Sequence, residues 1–432
     1  MGMELQQKLE ILADAAKYDA SCASSGAKRR DSRGSTGVGS SGGVGICHSY
    51  APDGRCISLL KVLLTNRCIY DCHYCINRRS SNVRRAAFSA QEVVKLTLDF
   101  YKRNYIEGLF LSSGIIRNAD YTMEQVVEVA RSLREDHHFR GYIHLKTIPE
   151  ASQDLIEKAG RYADRISINI ELPAAESLKT LAPEKNIKRT RQAMGRIRYK
   201  IEETREERKE SAGRKKVDFA TGQSTQVIVG ADASTDQTFL SRATDLYGNY
   251  QLKRVYYSAF SPIPEPSKLL PLQAPPLVRE HRLYQADWLM RFYGFNAKEI
   301  VSDDQPNLDL AIDPKLAWAL RNRQLFPVDL NSADLSLLYR VPGLGVRNAQ
   351  RLVNIRRYGR IRLDDLVRLR ASLKKMLPFI VTEDHHPAKL EVDSDKLRAR
   401  FAPPPEQMEL DLLIPTGPKG ETGGSPLGLV SG

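Results

Sequence analysis

From about residue 57 to 300, short apolar runs alternate with stretches whose apolar residues recur at helical spacing. The runs cover 57–65, 108–114, 141–146, 164–171, 225–230 and 253–260. The first is a continuous apolar segment and reads as a buried strand. Helical patterns fall between them: one capped by Ser89 with Val93, Val94, Leu96 and Leu98, others at 123–133 and 152–159, and a long charged one at 184–210. Strand–helix alternation of this kind predicts an α/β fold around a parallel sheet of six strands. Upstream, Leu5, Leu9, Leu12 and Ala16 mark an amphipathic helix over 3–18. Downstream, Pro-rich sequence at 261–266 and 271–276 predicts a stiff loop across one end of the sheet, and 280–293 a further helix with Leu283, Trp288, Leu289 and Phe292.

After a polar joint at 302–308 the pattern changes. Residues 328–339 start with Asn and Ser caps and run into a helix, and 348–357 form a second one. The turn between them is Val341-Pro-Gly-Leu-Gly-Val-Arg347. The segment 327–380 carries eleven Lys or Arg against four Asp and no Glu. Past about 402 the chain is rich in Pro and Gly and reads as disordered. The division expected is 1–46 (helix and basic Gly/Ser-rich loop), 47–300 (α/β body), 301–326 (linker helix), 327–383 (small all-α domain) and 384–432 (tail).

Charge sharpens this. The 432-residue chain has a formal charge of +13 and a pI of about 9.4, which favours a polyanionic partner. No apolar run reaches membrane-spanning length, and the first residues lack a signal-peptide core, so a cytoplasmic protein without a membrane partner is expected. Gly37-x-Gly39-x-x-Gly42 matches a dinucleotide fingerprint by letter, but no strand precedes it; it reads as a mobile basic loop or a substrate-facing one. The mixed charges of 189–208 suit a solvated, ion-paired helix better than a nucleic-acid contact.

The chemistry concentrates in Cys68-Ile-Tyr-Asp-Cys72-His-Tyr-Cys75, directly after the first strand. A structural zinc site wants four closed ligands, and no fourth Cys or well-spaced His follows. Clusters of the [4Fe–4S] type take thiolates, normally four, so three would leave one iron open. This spacing, with Tyr74 before the third thiol, resembles the radical S-adenosylmethionine superfamily. That resemblance implies an open (β/α)6 relative of the eightfold barrel, with chemistry at the C-terminal ends of the strands. It implies a [4Fe–4S] cluster on Cys68, Cys72 and Cys75, whose open iron chelates S-adenosylmethionine and whose electron generates a 5′-deoxyadenosyl radical. An electron donor such as flavodoxin or ferredoxin is implied with it. The superfamily's strand-two motif falls on Ser112, Ser113 and Gly114, without the usual paired glycines. Its ribose-binding position falls on Asn169 and Glu171, where Glu171 could instead pair with Arg165 or a helix N-terminus. Its adenine-facing backbone falls on Ile228 to Gly230. Cys22, Cys47 and Cys56 read as small buried residues, or as a hydrogen-atom donor or partial second-cluster set; His48 reads as structural.

The helix–turn–helix around Gly343, Leu344 and Gly345 resembles the helix-hairpin-helix DNA-binding module. Glycines let a backbone approach phosphate, and the second helix offers unpaired amides, with Arg347 and Arg351 as reinforcement. A hairpin used only for protein contact is the alternative. In the expected second hairpin, Arg370-Ala-Ser-Leu373 replaces the glycines. Barrel, cysteine loop and hairpin in this order resemble a family of bacterial radical S-adenosylmethionine proteins assigned to DNA modification or repair. Members are often encoded beside a uracil-DNA-glycosylase-like partner. In the tail, Gln407-Met-Glu-Leu410-Asp-Leu412 resembles the peptide that docks on a sliding clamp. RNA as substrate, or a non-catalytic iron–sulfur scaffold, are the rival readings.

Overall fold

The computed structural model describes residues 3–16, 46–50, 56–210, 219–387 and 396–402. Cys22, the Gly37–Gly42 motif and Gln407–Leu412 lie outside them, as do the side chains of His48 and Cys56. No helix among the described residues is long and apolar enough to cross a membrane.

Helix α1 (Leu5–Ala15) buries Leu12 and Ala13 and ties Lys8 to both carboxylate oxygens of Glu92, at 2.7 and 2.8 Å. A seven-stranded sheet follows in unbroken chain order. It begins with β1 (Ile46–Tyr50) and β2 (Cys56–Leu63), then α2 (Ala90–Lys102), β3 (Gly108–Ser112), α3 (Ala119–Arg131), β4 (Tyr142–Lys146) and α4 (Gln153–Tyr162). It continues with β5 (Arg165–Ser167), α5 (Ala175–Leu181), α6 (Ile187–Glu210), β6 (Gln223–Val229), α7 (Asp236–Tyr250), β7 (Arg254–Ala259) and α8 (Leu277–Phe292). Strands β2 to β7 are the six parallel strands the pattern predicts. β1 is an addition: it pairs antiparallel with β2 and covers the first edge. Helix α2 starts where Ser89 says it should, with a capping box in which the Ser89 hydroxyl and the Glu92 carboxylate each accept the other's backbone amide.

A sheet that does not close leaves its last strand with unpaired backbone groups. Here helices α7 and α8 satisfy them with side chains. The Tyr247 hydroxyl accepts from Val255 N at 3.0 Å, and the Glu280 carboxylate accepts from Ala259 N at 2.7 Å. The Tyr284 hydroxyl both accepts from Tyr257 N (3.0 Å) and donates to Tyr257 O (2.9 Å). Arg291 donates to Lys253 O at 2.7 Å. Of the apolar residues expected on α8, Leu283 and Leu289 face the core, whereas Trp288 and Phe292 point outward.

Beyond α8 come α9 (Ala297–Ile300), α10 (Pro314–Arg321), β8 (Val328–Asp329), α11 (Leu335–Leu338), α12 (Val346–Ile355), α13 (Leu363–Arg368), α14 (Leu373–Met376), β9 (Ile380–Val381) and α15 (Lys396–Phe401). The β8–β9 ladder joins the two ends of this helical segment. It packs against α10 and its flanks. Phe295, Trp318, Phe326 and Phe379 make successive edge-to-face contacts with centroids 5.3, 6.4 and 5.2 Å apart. Ion pairs Lys375–Asp313 (2.7 Å) and Arg340–Glu299 (2.9 Å) flank them.

Candidate active site at the C-terminal ends of the strands

The loop leaving β2 carries all three cysteines into one cavity, lined also by residues from the ends of β3, β4, β5 and β6. The loop is fixed without using sulfur. Arg85 donates to four of its flanking carbonyls: Asn66 (2.5 Å) and Asn77 (2.9 Å) from one guanidinium nitrogen, Arg78 (2.6 Å) and Ser81 (2.8 Å) from the other. The Asp71 carboxylate accepts from the Ser80 amide and hydroxyl at 3.0 and 2.7 Å. Amides of Ile69 and His73 reach Ile115 O and Leu181 O at 2.8 Å each. These hydrogen bonds, none of them to sulfur, hold the loop in shape.

Cys68, Cys72 and Cys75 are free thiols. Burial pushes Cys72 up to about 12 and Cys75 up to about 11, with developing charge on Cys75 adding to the first and on Cys68 to the second. Three thiolates in this apolar setting need a cation to exist, which is what a cluster's irons provide. The Ile115 amide already points at Cys68 Sγ, 3.4 Å away. Ligands of one zinc crowd within about 2.3 Å of the ion. Among the described residues no three Cys, His, Asp or Glu are gathered closely enough to hold a single ion. Three separate thiols on one loop suit a cube, in which each thiolate takes its own iron.

The other expected cofactor residues divide. Tyr74, Ser112, Ser113, Gly114, Asn169, Glu171 and Ile228 line the same cavity. The Tyr74 hydroxyl is buried there beside Cys72. Burial, then Glu171 and the neighbouring thiols, hold its proton well above the ordinary tyrosine range. Gly114 is required by a close approach: a Cβ would stand 2.4 Å from Arg67 O, on the segment that launches Cys68. Gly230 is not among the lining residues. It has φ +80°, and a Cβ on it would meet Pro275 Cγ at 2.6 Å, so its function is to let the proline-rich loop close down. Ile228 N–H donates to Glu171 O at 2.7 Å.

Glu171 corrects the sequence reading twice. Strand β5 ends at Ser167, so simple alternation does not place Glu171; a left-handed φ of +65° turns it into the cavity. Its carboxylate pairs with Lys185, a partner the sequence reading did not name. Lys185, from the loop after α5, is a lining residue that sequence reasoning missed. Burial lowers its proton affinity, but Glu171, Cys72 and Glu150 more than reverse this and keep it charged. It thus sets a fixed positive charge beside Cys72. Asn169 donates to Gln226 Oε1 at 3.3 Å, adding a second missed side chain to the wall. Cys47 is buried against Leu59 and Phe110 and is not among the lining residues.

The turn residues Gly343, Leu344 and Gly345 lie in the helical segment, away from this cavity. Gly343, at φ +80°, faces α14: a Cβ would meet Ser372 O and Lys375 Cβ at 3.0 Å. Its glycine therefore serves packing inside the segment. Leu344 is buried, and its carbonyl accepts from Lys315 Nζ at 2.6 Å. Gly345 caps α12, on which Arg347 and Arg351 are exposed. Arg370 takes φ +52°, the conformation that a glycine would supply at the second turn.

Residues 62–205 match the model of the Radical SAM superfamily. No curated protein matches the chain. Solved structures with a similar fold include the FeFe-hydrogenase maturase from Carboxydothermus hydrogenoformans, at 16% identity and TM-score 0.39, over 53% of this chain and 50% of that one. Methylornithine synthase is similar at 16% identity and TM-score 0.36, over 66% and 67% of the two chains. Coproporphyrinogen III oxidase from Escherichia coli is similar at 15% identity and TM-score 0.32, over 60% and 56%. The chain thus spans about half the length of the hydrogenase maturase. With three thiols at the strand ends inside it, the matched segment 62–205 is similar to the Radical SAM superfamily, whose enzymes use a [4Fe–4S] cluster and S-adenosylmethionine.

Proposed function

We propose that this enzyme modifies or repairs DNA by hydrogen abstraction. Bound at Cys68, Cys72 and Cys75, the cluster and S-adenosylmethionine supply a carbon-centred radical. The chain's own residues do the rest. Lys185, held by Glu171, offers charge to a carboxylate; Asn169 and Gln226 offer amide groups to hydroxyls; Tyr74 and the loop behind it exclude water. The observation that carries the DNA reading is the segment after the barrel. It is strongly basic and presents Arg347 and Arg351 on the helix after a Pro-Gly-Leu-Gly turn, as in a helix-hairpin-helix module. Such contacts would hold a backbone without reading sequence, and a base must leave its stack to reach a buried radical.

The test is anaerobic turnover with damaged and undamaged DNA and with tRNA, reading 5′-deoxyadenosine and nucleotide mass together. DNA-dependent mass change supports the proposal. Change confined to tRNA moves the chemistry to RNA, and absence of 5′-deoxyadenosine under all conditions leaves a scaffold. A uracil-DNA-glycosylase-like protein, a sliding clamp and a flavodoxin or ferredoxin are the partners proposed with this function.

A further inference from the structure

Helix α8 seals the sheet edge with one face and leaves the other uncovered. On the outer face stand His281, Gln285, Trp288 and Phe292, at i, i+4, i+7 and i+11, and all four are exposed. Trp288 is 53% and Phe292 50% exposed, with ring centroids 6.0 Å apart. The fold does not need them for packing, because Leu283, Ala286 and Leu289 supply the buried face. Opposite lies the turn Gly343–Gly345, and between them is a groove of about 600 Å³. Arg254 lines it together with the Lys375–Asp313 ion pair and the buried Lys315, which donates to Leu344 O. The Val346 amide at the start of α12 is within reach of the Tyr293 hydroxyl on the groove floor. This helix end lies next to the residue that follows α8.

The occupant must suit cations and an exposed indole at once. A protein partner would want a continuous apolar face, whereas here the rings are flanked by His281, Gln285 and cations. Nucleic acid offers negative backbone and π faces together, and only an unpaired strand exposes its base faces. We infer that the groove between α8 and the glycine turn binds an unpaired nucleic-acid strand, with a base stacked on Trp288. This rests on the nucleic-acid reading above and narrows it from duplex backbone to single strand.

The chain contains two tryptophans, and Trp318 is 4% exposed, so Trp288 dominates any ligand-dependent change in emission. Full-length protein is titrated with labelled oligothymidylate and with the same strand in a duplex, following anisotropy and tryptophan emission. The single strand is expected to quench emission. Trp288→Ala should abolish the quench and weaken single-strand binding about 5- to 150-fold, the range of one base–aromatic stack, while Trp288→Phe keeps most affinity. Circular dichroism checks that both variants fold. Anisotropic binding with unchanged emission and an unaffected Trp288→Ala variant overturns the groove but leaves nucleic-acid binding intact. No binding of any oligonucleotide sinks both readings. A Trp288→Ala variant that binds strands normally yet loses a protein partner makes this a protein-docking face and also refutes the inference.

Discussion

Arg85 is the residue on which the shape of the cysteine loop should depend most. Its guanidinium spans four carbonyls at 2.5–2.9 Å, on both sides of the thiols. Arg85→Lys keeps the positive charge near Cys68 and Cys75 but cannot reproduce a planar fork. A lysine reaches at most two of the carbonyls. Two lost charge-assisted bonds are worth about 3–6 kcal/mol when fully buried. Arg85 is only partly buried, so water recovers some of this, and about 2–3 kcal/mol is the expected net loss. For a cooperative unit of 150–250 residues that corresponds to a fall in Tm of about 4–12 °C. The loop itself should open before the barrel does. The assay is melting of the metal-free protein together with iron content after anaerobic reconstitution, with limited proteolysis to locate the opening. Expected are a lower Tm, faster cleavage within 66–81 and substoichiometric iron. Wild-type melting and full iron in Arg85→Lys would refute the claim that the loop is held in shape by this side chain.

Cys72→Ala should remove reconstituted iron and cleavage of S-adenosylmethionine while oligonucleotide affinity by anisotropy changes less than about twofold. Lys185→Met strands the Glu171 carboxylate in a buried wall and should lower stability by about 2–4 kcal/mol, read by denaturant unfolding of the metal-free protein. Adding Glu171→Gln should recover part of that loss, and no recovery would mean the pair does not act as a unit. Lys315 is expected to make stability pH-dependent. Burial, and then Arg340, outweigh Asp313 and lower it to about 7. Between pH 7 and about 10.5 the unfolded chain therefore binds the extra proton, so stability should rise with pH across that window. Lys315→Met should flatten this slope in melts from pH 7 to 9; an unchanged slope assigns it to another group.

What the sequence disclosed was what neighbours in sequence determine. Three thiols on one loop after an apolar run announce a common ligand, and Ser89 with Glu92 announces a helix start; both depend on residues a few positions apart. Lys185 was invisible because nothing in its own stretch requires a cation. Its partner lies fourteen positions earlier, in a segment that leaves the β ladder through a left-handed residue no periodicity foretells. Arg85 was missed for a related reason: its partners are carbonyls, which carry no residue signature. Gly230 and Gly343 signal close approach, and what approaches within the protein, Pro275 in one case and α14 in the other, carries no signal in the local sequence. Periodicity also left open which apolar residues of α8 join the core: Leu283 and Leu289 do, Trp288 and Phe292 do not.

The cavity holding the thiols and the groove beside α8 share no lining residue. Helix α8 starts next to the proline loop that closes on Gly230, at the strand ends where the chemistry sits, and Trp288 lies eleven residues further along it. At 1.5 Å per residue this is about 16 Å of helix, the length of roughly five stacked nucleotides at 3.4 Å each. A strand anchored at Trp288 is therefore gripped at a distance from the reacting position. That grip is equally strong in the ground state and the transition state, so it contributes to KM and not to kcat. Groups inside the cavity, Lys185 and Asn169 among them, act on the reacting complex itself and belong to kcat. On the function proposed here the two sets of residues would divide the task physically: one holding a polyanion, the other shaping a charged cavity around a radical source.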